Sequence, residues 1–401
     1  MQDKRILSSK QYGFLKQSST TQNLIATYDY ISLMIDQGGS ADIVFFDFAK
    51  AFDRVPHNLL ISKLISYDCN LYVVRWISNY LQERKQIVVN GEFKSNISSV
   101  TSGVLQGSIL VPIQIVIFLT DPLNLQFSNQ LIAFADDCKL YGQVSDTASL
   151  QEDVSMFYQR CKSNGMELNN SKCRVMHFGG KNPQHDYFLD SCKIVESSTE
   201  RDLGVYIDAN FSFARNVSAL LPKLYRISYK FFRSFKCKKV KFYCDLYQTY
   251  IYPILSYGLP VCFPRFQKDQ RKINKFLKFF SKKVYLACHM GMVNAEERIV
   301  TLGIKSYEQM FFYTGLLYIF KVMHGYIAKS PFFPERSVVR HTRGNSYKLA
   351  HPSCRTETRK SFFHIRLLSY WNALPEKIVS SRSISAFNHH LRSSVISMSF
   401  D

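Results

Sequence analysis

Three carboxylates sit where apolar runs of this chain end. Asp47 closes Phe45-Phe46-Asp47-Phe48, and Asp136-Asp137 follow Ala133-Phe134-Ala135. Residues 43–48 are mainly branched and aromatic and lie between turn formers, which predicts a buried strand, with Ile43, Phe45 and Asp47 on one face. Residues 131–135 and 138–141 predict two further strands joined tightly through Asp136-Asp137. An anion at the end of such a strand is costly to bury unless a positive charge meets it. Two magnesium ions about 3.5 to 4 Å apart would answer all three carboxylates, since hard cations take oxygen ligands and such pairs stabilise the attacking and leaving oxygens of an in-line displacement. The expected chemistry is phosphoryl transfer. An Asp-Asp pair alone is more often a solvated hairpin turn, so order and context must decide.

The context is an alternation of strands and helices as far as about residue 208, which predicts one α+β or α/β domain. A Ser18-Ser19-Thr20-Thr21 run is placed to cap a helix over 24–34. Pro56-His57-Asn58 opens a helical stretch carrying Leu59, Leu60, Lys63 and Leu64, and a second helix is expected over 71–81. Strands over 86–89 and 97–100 are expected to turn at Asn90-Gly91, the strongest short-range hairpin signal in the chain. After a Gln106-Gly107-Ser108 turn an apolar helix runs to about Leu119. Beyond residue 211 strand signals fade. Over 267–284, Lys268, Arg271, Lys272, Lys275 and Lys282 recur at helical spacing opposite a stripe of Ile273, Phe276, Leu277, Phe280 and Val284. That basic amphipathic helix suits a nucleic-acid backbone, an ordinary solvated face, or a membrane surface.

Charge divides the chain more sharply than structure does. Residues 1–210 carry 19 Lys and Arg against 22 Asp and Glu, whereas residues 211–401 carry 32 against 9, so the formal +20 resides wholly in the second half. A half this basic suits a polyanion, because each neutralised phosphate releases condensed counterions; an acidic partner protein is the alternative. The ten cysteines show no CxxC or Cys/His zinc spacing and fit a reduced, intracellular setting, nucleus or cytoplasm being unresolved. No apolar run reaches the roughly 18 to 20 residues that span a bilayer, so no membrane role is expected.

The motifs taken together resemble a known family. The run from Phe46-Asp47-Phe48-Ala49-Lys50-Ala51-Phe52-Asp53 to Arg54-Val55-Pro56-His57 resembles the first palm motif of reverse transcriptases from retrotransposons lacking long terminal repeats. Gly103-Val104-Leu105-Gln106-Gly107-Ser108-Ile109-Leu110 is similar to their second palm motif, and Phe134-Ala135-Asp136-Asp137 to their aromatic-Ala-Asp-Asp box. Leu168-Asn169-Asn170-Ser171-Lys172-Cys173 resembles the next motif, and Asp202-Leu203-Gly204-Val205 the Leu-Gly primer grip. Gln11-Tyr12-Gly13-Phe14 resembles the segment leading into this palm. Weaker similarity to jockey-like elements continues in Leu255-Ser256-Tyr257-Gly258 and Tyr370-Trp371-Asn372-Ala373-Leu374-Pro375.

The resemblance implies an RNA-directed DNA polymerase that extends a primer 3′ end by two-metal nucleotidyl transfer. Its partners would be an RNA template, a DNA primer or target, and deoxynucleotides. Asp47 and Asp136 would ligate two Mg2+ (or Mn2+) with help from the Phe48 carbonyl, and Asp137 would complete the acidic pocket. Phe52 would be the steric gate against a 2′-hydroxyl, Gln106 and Gly107 would line the nucleotide pocket, and Lys172 would meet the triphosphate or protonate pyrophosphate. Leu203 and Gly204 would hold the primer end. Lys268, Arg271, Lys272, Lys275 and Lys282 would contact the nucleic-acid backbone, and Asp53 is read as structural. The expected fold is α+β: a right-hand polymerase palm, an antiparallel sheet with packed helices, with partial fingers, then a helical thumb and helical C-terminal region. Its expected divisions are a fingers or lead-in remnant over 1–40, the palm over 41–210, a basic thumb-like region over 211–325 and a region of unassigned role over 326–401.

The sequence also departs from that family. Nothing matches the family's fingers strands with their Trp-Arg-Pro-Ile-Ser-like motif, an upstream endonuclease or an RNase H carboxylate set, and a longer parent protein would supply such parts. Val111 stands where the family has glycine, and Gln114 interrupts an apolar helix. These departures leave a catalytically silent nucleic-acid-binding remnant as the second reading. A splicing maturase is a third, which the jockey-like tail argues against.

Overall fold

The computed structural model describes residues 7–144, 147–337 and 345–395, so the ends of the expected 1–40 and 326–401 segments lie outside it. The chain forms two compact units, Met1–Asn23 with Gly39–Ser198 and Leu24–Gly38 with Thr199–Asp401.

The first unit is built on β1 (Ala41–Phe46), α2 (His57–Ser66) and α3 (Leu71–Leu81); α1 (Thr20–Asp36) precedes them and belongs mostly to the second unit. A ribbon of four two-residue strands, β2 to β5 (Lys85–Gln86, Val89–Asn90, Phe93–Lys94, Ser98–Ser99), leads to α4 (Val111–Leu123). Then come β6 (Gln130–Phe134), β7 (Asp137–Gln143), α5 (Thr147–Ser163), β8 (Arg174–Phe178) and the short β9 (Phe188–Leu189), β10 (Cys192–Lys193) and β11 (Val195–Glu196). Five of these strands form one sheet in the order β11-β8-β1-β7-β6, antiparallel except for β11 against β8. Its central strand is β1, as a nearly unbroken apolar run requires. Val44 and Phe46, with Phe48 just beyond the strand, enter the core, where Phe157 of α5 meets the Phe46 ring at 4.7 Å. The alternate positions Phe45 and Asp47 stay partly open. Period-two alternation thus puts the carboxylate on the accessible side.

Four local expectations shift. Ser19 caps α1, accepting from the Gln22 N–H at 3.2 Å, so the helix starts four residues ahead of residue 24. Asn90 pairs with Phe93, which makes Gly91-Glu92 the hairpin turn; Gly91 holds φ +62, as the first turn position requires. Phe134 pairs with Asp137, so the tight turn is Ala135-Asp136 and Asp137 is already the first residue of β7. Val111 opens α4 in the core without a left-handed φ, so its branched side chain packs with no backbone penalty. Gln114 is the true oddity, buried with neither end of its carboxamide hydrogen-bonded.

The second unit begins with the hairpin β12 (Thr199–Asp202) and β13 (Val205–Asp208) and is otherwise helical. Its longer helices are α6 (Ala214–Ser234), α7 (Val240–Leu246), α10 (Gln267–Ala287), α12 (Tyr307–Met323), α14 (Phe363–Ala373) and α16 (Ile384–Val395). The short α8 (Tyr252–Ser256) and α9 (Leu259–Cys262) precede α10; α11 (Ala295–Thr301), α13 (Glu357–Lys360) and α15 (Glu376–Val379) fall between the later helices. Residues 24–38 are tied into this unit from the far end of the chain. Buried Asp29 pairs with Arg359 and faces His364 at 3.4 Å, and Asp36 accepts from the Thr356 N–H at 2.6 Å. Among the described residues no helix is long and apolar enough to cross a membrane. The fold is thus α+β, a sheet core with packed helices followed by a helical region, as expected.

Candidate active site and nucleic-acid interface

The turn that carries Asp136 is held from outside. Residues 10–13 run beside β6 in parallel: the Tyr12 N–H donates to the Ala133 carbonyl at 2.8 Å and the Ala133 N–H to the Lys10 carbonyl at 2.9 Å. Ala135 has φ +55, a conformation that costs a residue with a Cβ about 1 kcal/mol or more. The buried Gln11 carboxamide braces it, accepting from the Ala135 N–H at 2.8 Å and donating to the Ala135 carbonyl at 3.2 Å. Gly13 is needed for this approach, because a Cβ there would lie 2.4 Å from the Ala135 nitrogen. Gln11 and Gly13 were legible only as part of the lead-in segment, with no signal of what they hold.

Asp47 emerges from the end of β1. The β1–β7 ladder closes with Phe46 opposite Cys138, so the next step sets Asp47 against Asp137. Just past it, Phe48 bridges Leu168 and the Asn169 N–H donates to the Asp47 carbonyl at 2.7 Å. That pairing brings Lys172 in, its Nζ 3.5 Å from Asp47 Oδ2. Burial pushes the Asp136 carboxyl above the usual aspartate value; its own backbone N–H opposes this, and the charge of Asp47 adds to it. Asp47, Asp136 and Lys172 therefore form one electrostatic group, beside the exposed Asp137.

The donor set suits a hard cation in part. Asp47 Oδ2 is buried and receives no hydrogen bond, and the Asp47 and Asp136 charges repel; a cation between them would relieve both. Among the described residues, however, no three His, Cys, Asp or Glu side chains converge closely enough to hold an ion as they stand. Asp137 would have to turn inward.

Residues 52–57 and 103–104 are zipped together. The Gly103 N–H donates to the Val55 carbonyl at 2.9 Å, the Val104 N–H to the Phe52 carbonyl at 2.8 Å, and His57 Nε2 meets the Gly103 carbonyl at 2.8 Å. Gly103 holds φ +85, and a Cβ on it would stand 2.6 Å from the Asp53 carbonyl oxygen. Phe52 is half-buried against the core, Gln106 is exposed, and Gly107 takes φ +88 in open space. Asp53, read as structural from the sequence, accepts from Gln106 Nε2 at 3.2 Å and so aims that side chain. Both line a cleft of about 700 Å3 with Lys50, Arg54 and Arg84. These three cations lay outside the sequence prediction, since residues scattered over 50–84 show no common spacing.

In the second unit, Leu203-Gly204 are the two turn residues of the β12–β13 hairpin, with φ +44 and +86. Leucine rarely adopts such an angle. Tyr257, from the Leu-Ser-Tyr-Gly segment, donates its hydroxyl to the Leu203 carbonyl at 2.6 Å. Helix α10 exposes Lys268, Arg271, Lys272, Lys275 and Lys282 and buries Ile273, Phe276, Leu277, Phe280 and Val284. A second basic face went unread: Arg215, Lys223, Arg226, Lys230 and Arg233 are all exposed along α6, which contains no acidic residue. Their helical spacing was visible, but Pro222 in their midst argues against a helix.

Residues 1–242 match the reverse transcriptase (RNA-dependent DNA polymerase) family. The chain is 27% identical over 272 residues to the RNA-directed DNA polymerase from mobile element jockey of Drosophila melanogaster, a match covering 63% of this chain and 29% of that protein. It is 26% identical over 230 residues to the jockey polymerase of Drosophila funebris, covering 54% of this chain and 25% of the relative. It thus spans less than a third of those proteins. Among solved structures, telomerase from Candida tropicalis in complex with a TWJ fragment of telomeric RNA aligns over 98% of this chain and 54% of its own at 11% identity, with a TM-score of 0.41.

Proposed function

The chain belongs to the reverse transcriptase (RNA-dependent DNA polymerase) family, on the side of the non-LTR elements, and we propose that it extends a primer 3′ end with deoxynucleotides on an RNA template. The observation that carries this reading is the meeting of Asp47, Asp136 and Lys172 at the accessible end of β1 and its neighbouring hairpin. A reverse transcriptase domain implies dependence on a divalent metal. Here Asp47, Asp136, Asp137 and the Phe48 carbonyl would hold two Mg2+, or Mn2+ in their place. When bound, they supply charge stabilisation for the attacking and leaving oxygens.

The chain's own groups do the rest. Phe52 walls the sugar and excludes a 2′-hydroxyl; Gln106, aimed by Asp53, lies against the nucleotide; and Gly107 lets backbone approach it. Lys172, whose Nζ lies 3.5 Å from Asp47 Oδ2, would take the triphosphate's charge or give a proton to the leaving pyrophosphate. Leu203 and Gly204 hold the primer end. The exposed cations of α10 and α6 bind phosphates without reading sequence.

A second reading, a silent nucleic-acid-binding remnant, is favoured by one observation: the three aspartates do not converge as a ligand set. Primer extension on a homopolymer RNA template with Mg2+ or Mn2+, comparing the chain with its Asp136→Asn, Asp137→Asn double variant, separates the two. Incorporation lost in the variant supports the polymerase. Absence of incorporation, with salt-dependent RNA binding intact in both, leaves the remnant.

A further inference from the structure

Arg366 lies in the first turn of α14 with its guanidinium 4.8 Å from the Phe263 ring centre and 5.1 Å from that of Phe311. Among the described residues nothing gives that side chain a hydrogen bond or an ion pair, although a guanidinium carries five N–H donors. Burial lowers its pKa from the usual arginine value, against the pull of Tyr370 and Glu308. The two rings meet the charge by cation–π contact but take up none of its N–H donors.

Arg366 also borders an open space. A cleft of about 540 Å3, within the usual range for small-molecule sites, opens between α10, α12 and α14, with Gln267, Gln270, Arg271, Glu308 and Tyr370 around it. Several of its polar groups are already engaged. Gln270 donates to the Pro264 carbonyl at 2.9 Å, and Glu308 accepts from Asn274 at 3.0 and 3.1 Å. Two guanidinium groups against one occupied carboxylate favour an anion. The Tyr370 ring, set edge-on to Phe312 at 4.5 Å, adds a flat apolar wall. Arg271 belongs both to this cleft and to the basic face of α10, so a strand lying on Lys268, Lys272 and Lys275 passes its mouth.

We propose that this cleft binds a phosphorylated nucleoside, its phosphate gripped by Arg366 and Arg271 and its base flanked by Tyr370. The nucleotide comes either free or as an unpaired residue of an RNA strand. The assignment needs no metal and no turnover, so it stands apart from the polymerase reading and survives a failed primer-extension assay.

The test uses the full chain in EDTA, titrated with AMP, a five-residue oligoadenylate and inorganic phosphate, beside Arg366→Gln. AMP or the oligonucleotide should bind, and Arg366→Gln should weaken that binding on the order of tenfold or more, as loss of a charge-assisted hydrogen bond does. AMP binding as tightly as the oligonucleotide assigns the site to free nucleotides; much tighter oligonucleotide binding assigns it to a strand. Phosphate binding as tightly as AMP, or equal affinities in both proteins, overturns the proposal. Should Arg366→Gln fail to fold, 8-azido-AMP cross-linked to the unaltered chain decides. Label on the peptides around 267–271 or 366–370 supports the site, and label elsewhere or none overturns it.

Discussion

Gln11 grips Ala135 by both of its backbone polar groups, and Ala135 precedes the carboxylate on which the proposed chemistry turns. Removing the grip by Gln11→Ala leaves a left-handed alanine unbraced at the tip of the β6–β7 hairpin. We expect kcat for primer extension to fall by about 100-fold, the cost of misplacing a reacting group by about an ångström, while RNA affinity holds. Gly13→Ala should be at least as damaging, since its Cβ must displace the Ala135 backbone. Filter-binding and steady-state extension decide the matter: RNA affinity falling in step with kcat would mean the grip serves folding rather than catalysis.

The burial of Asp136, with the charge of Asp47 beside it, predicts a stability signature independent of activity. A carboxyl whose pKa rises on folding destabilises the fold as pH climbs through that raised value, so at neutral pH the ionised Asp136 opposes folding. Asp136→Asn should therefore raise the metal-free melting temperature, by on the order of 2 °C. Millimolar Mg2+ should raise it in the unaltered chain and not in Asp47→Asn, Asp136→Asn, because a ligand stabilises only the state that binds it. Identical Mg2+ responses in the two proteins would remove these residues from the metal site.

His364 makes the second unit sensitive to acid. It is fully buried, and its surroundings hold its pKa down at about 4, chiefly by burial; Arg359 adds to this and Asp29 opposes it. Between that value and the ordinary 6.5 the unfolded chain takes up a proton that the folded chain refuses. Stability is thus complete above pH 6.5 and drains away as pH falls towards 4, by up to about 3 kcal/mol. Urea titrations at pH 7 and pH 5 should show this loss in the unaltered chain and a flatter profile in His364→Leu. Parallel losses in both would place the acid sensitivity elsewhere.

Gln114 should be replaceable at a gain. Its buried carboxamide has no partner at either end, and an unsatisfied group of this kind costs about 1 to 3 kcal/mol. Gln114→Met keeps the length and removes the polar atoms, so the melting temperature should rise by several degrees. A fall would show that an ordered water satisfies the side chain.

These expectations draw unevenly on the sequence. Asp47 was legible because a carboxylate at the end of an apolar strand announces itself, and its register with Phe45 followed from alternation alone. The basic face of α10 was legible because Lys and Arg recur opposite Ile273 and Phe276. Gln11 was not, since its role is set by a parallel pairing across more than a hundred residues that no local pattern encodes. Neither was Asp53, whose bond to Gln106 depends on the two palm motifs being zipped together. Arg366 lay hidden for the same reason: Phe263, Phe311 and Arg271 come from three separate elements.

The tie between Asp29 and Arg359 also has a history in time. The two residues are 330 positions apart, an interval that a ribosome covers in on the order of half a minute. Until then the segment 24–38 has been made but cannot settle, because its buried carboxylates await Arg359 and the amide groups of Arg355 and Thr356. A polypeptide that stops ahead of Arg359 lacks the cation that Asp29 pairs with in the folded chain. A second unit with its Asp29 carboxylate paired therefore requires a chain synthesised through Arg359.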